Sequence, residues 1–126
     1  MISRVAQLAS ISIDCPDADV LATFYIGLMG LEEVFATPDR SLICLSGAGP
    51  MITLMTVREY CAPVWPGGPQ LQQMHFDLAA ADLDTDVASA QQLGATLSAT
   101  QPNADLYRVM LDPAGHPFCL TLARAS

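Results

Sequence analysis

The sequence contains no lysine, and its five arginines stand against 13 acidic residues for a formal net charge of −8. A phosphate backbone or an anionic membrane needs a basic footprint, so nucleic acid and membrane surfaces are excluded as partners. Imidazoles are scarce: only His75 and His116. Glutamate is confined to Glu32, Glu33 and Glu59. That scarcity weighs against a metal-dependent enzyme, which needs three or four converging donors. No stretch approaches the ~18 apolar residues of a membrane span. The start carries Arg4 but no apolar run with a cleavage site after it, so no signal peptide is expected. The four cysteines, Cys15, Cys44, Cys61 and Cys119, form no CxxC pair. They read as reduced core thiols of a cytoplasmic protein.

What is present is apolar mass and a repeat. A chain of 126 residues that is 52% hydrophobic suits one domain with a real core. Ser41–Leu45 and Gly47–Leu54 line up with Tyr107–Leu111 and Pro113–Leu120 at a constant offset of 66, and Ser10–Ile13 with His75–Leu78 at an offset of 65. Each copy reads as strand, helix, then three strands. Two half-size units imply one pseudo-twofold domain of α+β class, with a cleft where they meet.

The boundaries follow from local chemistry. Leu8–Asp14 alternates apolar and polar, as a strand does. Asp17 or Asp19 caps a helix with Val20, Leu21, Phe24 and Leu28 on one stripe, and Gly30 ends it. Strands are expected at about Leu31–Ala36, Ser41–Ser46 and Met51–Val57. Asp82 caps a second helix carrying Leu83, Val87, Ala90 and Leu93, and Gly94 ends it. Strands are expected at Gln73–Ala79, Ala95–Ala99, Leu106–Leu111 and Pro117–Ala123. Module one spans about 7–57, module two about 73–123, and the Pro- and Gly-rich linker 58–72 joins them.

These motifs resemble a known family. Asp14-Cys15-Pro16-Asp17, Phe24-Tyr25 and Leu28-Met29-Gly30-Leu31 are similar to the opening of vicinal oxygen chelate proteins. Met74–Leu78, Asp82-Leu83 and Leu93-Gly94-Ala95 resemble the second copy of that motif, and Asp112–Phe118 resembles the turn before the last strand. The resemblance is closest to the glyoxalase-like, bleomycin-resistance-like branch. It implies paired βαβββ modules, mixed sheets curled around a cavity with helices outside, and a homodimer. Metal-dependent members carry a His on the first strand of a module and a Glu on its last. The corresponding places here are Ser10 and His75, then Thr53 and Cys119. Only His75 keeps the family's ligand type, so no metal and no other cofactor is expected; a divalent ion on His75 would have half a site.

Strand alternation nominates the cavity lining. Ser10, Ser12, Thr53, Met55, His75, Met110 and Cys119 are the candidate ligand contacts, with Tyr60 and Trp65 from the linker as a lid. Asp77 shares a face with His75 and is a possible partner for Arg108. The first expectation is a binding protein that sequesters a small organic ligand, such as an antibiotic or natural product. The alternative is a metal-independent isomerase, cyclase or lyase with His75 and Asp77 as acid and base. A metal-dependent lyase or dioxygenase ranks third.

Overall fold

Two aspartates and two glycines decide where the helices begin and end. The Asp17 carboxylate accepts the backbone N–H groups of Asp19 and Val20, and α1 runs Ala18–Met29 behind it. Asp82 accepts the N–H of Thr85 at 3.0 Å and opens α2, Leu83–Leu93. Both helices stop at a left-handed residue, Gly30 (φ 66°) and Gly94 (φ 119°), where a side chain would be strained.

The computed structural model describes residues 5–122. Arg4 and Ala123, named above, lie outside that range. The chain divides into two compact units, Met1–Tyr60 and Cys61–Ser126, so the boundary falls inside the expected linker. The first unit holds β1 (Ser10–Cys15), α1, β2 (Glu32–Ala36), β3 (Leu42–Ser46) and β4 (Met51–Thr56). The second holds β5 (Phe76–Ala80), α2, β6 (Thr96–Leu97), β7 (Tyr107–Leu111) and β8 (Pro117–Leu122). The sheet orders are β1-β4-β3-β2 and β5-β8-β7-β6. In each, the first strand pairs parallel with the last and the rest are antiparallel. Each unit is thus one βαβββ module, and the α+β class holds.

Each helix covers one face of its own sheet. In module one Leu21, Phe24 and Tyr25 meet a sheet face of Ile43, Leu45, Ile52 and Leu54, all buried. The Phe24 and Tyr25 rings lie edge to face, 5.0 Å apart. Val20 was expected on this stripe but is 53% exposed; Ala18, Ala22 and Tyr25 complete it instead. In module two α2 offers only Leu83, Val87 and Ala90, and Leu93 is exposed. The bulk there comes from the sheet, through Met110, Phe118 and Leu120.

The repeat carries a one-residue slip. Leu42 pairs with Met55 and Cys44 with Thr53; Tyr107 pairs with Thr121 and Val109 with Cys119. Fourth strands therefore correspond at an offset of 66, but third strands at 65, because the turn before β8 is one residue longer than that before β4. A slip of one residue turns every side chain to the other face. Met110 is the counterpart of Leu45, fully buried opposite Phe118, on the helix-covered face rather than the open one.

β6 is shorter than expected because a side chain takes over its work. The Gln101 amide donates to the Val109 carbonyl at 2.8 Å and accepts the Val109 N–H at 2.9 Å. Those are the bonds a neighbouring strand would make. Residues 57–75 contain no helix or strand, and the Trp65–Pro66 bond is cis. Among the described residues no helix is long and apolar enough to cross a membrane. None of the four cysteines forms a disulfide; Cys15 and Cys119 are buried, but Cys61 is exposed, contrary to expectation.

Candidate functional site

Parallel pairing of β5 with β8 sets Asp77 opposite Cys119. His75, two residues before Asp77, lies on the same face one pleat earlier. Its Nε2 is 3.4 Å from Asp77 Oδ1. The imidazole is 40% exposed and the carboxylate 66%, whereas Cys119 is buried. One donor atom from each of His75, Asp77 and Cys119 lies within 4.8 Å of the others. Among the described residues this is the one such gathering.

The environment keeps the Cys119 sulfur protonated. Its pKa is pushed up to about 11, first by burial, then by the negative charge of Asp77 and the hydrogen bond to that carboxylate. A neutral buried thiol is a poor nucleophile at neutral pH.

These groups line one end of a pocket of about 480 Å³. Tyr107, Val109, Pro117 and Thr121 complete the sheet wall, and Trp65, Gln72 and Pro102 close in from the loops. The Gln72 Oε1 is buried and has no hydrogen-bond partner. Leaving such an acceptor unpaired costs about 1–3 kcal/mol. Among the described residues no lysine or arginine lines the pocket. Arg108, expected near Asp77, instead bonds the Ala104 carbonyl (2.6 Å) and Asp84 (3.0 Å).

Of the residues nominated from sequence, the pocket gathers Trp65, His75, Asp77 and Cys119. Ser10, Ser12, Thr53 and Met55 belong to the open face of the first module's sheet. Tyr60 falls in the first unit and is not a pocket residue. Met110 points the other way, as the slip requires. Tyr107, Val109 and Pro117 escaped the sequence reading, although correct alternation from Cys119 and its β7 partner would have found them. Gln72 and Pro102 carry no sequence signal, because loops bring them in.

The same face of module one is chemically different. Ser10 corresponds to His75, Ser12 to Asp77, and Thr53 to Cys119. Ser10 Oγ and Thr53 Oγ1 bond each other at 2.7 Å, and the Thr53 hydroxyl donates to Cys44 Sγ at 3.5 Å. The first- and last-strand places therefore hold two mutually bonded hydroxyls, one imidazole and one protonated thiol. That set does not fit the family's metal arrangement, since hydroxyls are weak ligands and the thiol must first lose its proton.

His116 lies in the turn before β8 and is held there through its backbone N–H. The buried Asp112 carboxylate accepts the N–H groups of Ala114 (2.9 Å) and His116 (3.0 Å).

A family model described as a glyoxalase-like domain matches residues 10–121. No curated protein matches the chain. Among solved structures it is similar to a glyoxalase/bleomycin resistance protein/dioxygenase family enzyme from Burkholderia phytofirmans PsJN, at 18% identity and TM-score 0.71 over 94% of this chain and 100% of that one. It is similar to the fosfomycin resistance protein FosX from Mesorhizobium loti, at 13% identity and TM-score 0.72 over 96% and 94%. The trypanothione-dependent glyoxalase I of Leishmania major is 17% identical, with TM-score 0.65 over 93% and 86%. At such identities the likeness shows the fold.

Proposed function

This chain belongs to the glyoxalase-like domain family, and on that premise we propose that it is a small-molecule binding protein whose ligand sits in the pocket of module two. The observation that carries this is the contrast between equivalent faces. Module one ties Ser10 and Cys44 to a buried Thr53, whereas module two leaves the His75–Asp77 pair 40% and 66% exposed beside a 480 Å³ pocket walled by Trp65, Tyr107 and Val109. A mostly apolar concavity with a few convergent polar groups is the usual form of an organic ligand site. The ligand is of the antibiotic or natural-product kind, held without the family's metal arrangement.

Trp65 is the sole tryptophan, so its emission reports on the pocket. A library of drug-like fragments is expected to yield ligands that shift that emission and lose affinity in Thr121→Phe, which fills the pocket. Ligands that bind the filled variant equally well would refute the reading.

A second reading rests on the His75–Asp77 pair at 3.4 Å. A carboxylate beside an imidazole fixes its tautomer and orientation, as an acid–base catalyst requires. If a bound ligand is turned over, His75→Ala should abolish conversion and leave binding largely intact; if the protein only sequesters, the change alters affinity modestly.

The homodimer belongs to this proposal as well. Val34 (52%) and Phe35 (55%) of β2 are exposed apolar side chains that a partner copy would cover. Light scattering of the purified chain tests it.

A further inference from the structure

We propose that the module-two pocket selects an organic ammonium ion: a protonated amine on an apolar body large enough to stack on an indole. This rests on the binding reading above and names its ligand class.

Three observations converge. Among the described residues Asp77 is the sole carboxylate of the pocket, and no arginine lines it. Arg108, the one arginine on this sheet among the described residues, is taken by Asp84 and the Ala104 carbonyl. Cys119, opposite Asp77 on β8, is a buried neutral thiol, so the negative charge of Asp77 is not shared with a thiolate.

The second observation is the wall. Trp65 and Tyr107 present aromatic surface to the same pocket, and aromatic faces attract cations. An anionic ligand would meet Asp77 and these faces with only the His75 imidazole, already 3.4 Å from Asp77, beside them. The third is Gln72. Its Oε1 has no partner, so the amide can turn into the pocket without breaking a bond at that oxygen, and there it accepts an N–H. A carboxylate, an amide oxygen and two aromatic rings ask for a ligand that donates and is positively charged.

The test uses the full chain, with a chelator present so that no divalent ion occupies the His75, Asp77 and Cys119 donors. Three probes of matched shape are titrated: phenethylammonium, 2-phenylethanol and 3-phenylpropionate. The ammonium ion should bind about tenfold more tightly than the alcohol, and the carboxylate more weakly than either. Asp77→Asn should erase the preference, so that the ammonium and the alcohol bind the variant with equal affinity. Asp77→Glu should keep the preference. Asp105→Asn, an exposed acid outside the pocket, should keep it too, which separates a local carboxylate from the overall negative charge. Equal binding of alcohol and ammonium, or a preference that survives Asp77→Asn, overturns the ammonium assignment and leaves the pocket standing. If no probe perturbs Trp65 or the amide signals of β7 and β8, the pocket reading falls and this inference with it.

Discussion

The two modules are built to one plan and stabilised in opposite ways. In module one the helix supplies the bulk: Leu21, Phe24 and Tyr25 come from α1, and the sheet answers with aliphatic residues. In module two the helix is thin, and Phe118 and Met110 come from the sheet. The open faces differ in the same spirit. Module one ties Ser10, Thr53 and Cys44 into a chain of hydrogen bonds. Module two places an imidazole, a carboxylate and a protonated thiol around a pocket.

The largest effect should come from breaking the sheet-borne core. Phe118 is fully buried, and its counterpart in module one is Ile52. Phe118→Ala removes a ring that α2 has no bulk to replace, so it should cost about 3–5 kcal/mol. Ile52→Ala should fall at the lower end of about 2–5 kcal/mol, since α1 still fills that core. Urea unfolding midpoints check both. Equal losses would show that the two cores are not supported differently.

Much of this plan was legible in the chain. Asp17, Gly30, Asp82 and Gly94 mark the helix ends because capping is local chemistry, readable within a few residues. The doubled pattern gave the two βαβββ modules for the same reason. The face of β7 was not legible, because sequence similarity aligned Tyr107–Leu111 one residue away from where hydrogen bonding puts it. Turn length set that slip, and it moved Met110 to the core and brought Tyr107 and Val109 to the pocket. The shortened β6 was equally hidden: nothing in the spacing shows that the Gln101 amide will stand in for strand backbone. Gln72 and Pro102 reach the pocket through loops, whose path is set by tertiary packing.

A smaller effect separates the modules by pH. Cys119 has a folded-state pKa of about 11, above the ordinary 9.0 of a thiol. The neutral thiol is the form the fold favours. Its contribution to stability is therefore fully present below the ordinary value and lost as pH rises through the folded one. Wild-type protein should lose stability between roughly pH 9 and 11 more steeply than Cys119→Ala. Thiolate absorbance should appear at lower pH in Asp77→Asn, because the carboxylate both repels the thiolate and binds the S–H. An unchanged titration in Asp77→Asn would remove Asp77 as a cause and leave burial alone.

The smallest effect tests whether the hydroxyl chain of module one is structural and nothing more. The Thr53 hydroxyl donates to Cys44 Sγ, so Ser10 is the donor in the 2.7 Å bond to Thr53. Ser10→Ala removes that donor, and Thr53, 7% exposed, loses its one short hydrogen bond. The cost should be about 1 kcal/mol, with no change in ligand affinity. His75→Ala, at the corresponding place in module two, truncates a side chain that is 40% exposed and should leave the unfolding midpoint nearly unchanged while altering affinity. The two substitutions, measured side by side for stability and for binding, should move opposite readouts. If Ser10→Ala weakens binding while the fold keeps its stability, the open face of module one belongs to the site, and the division of labour between the copies is wrong.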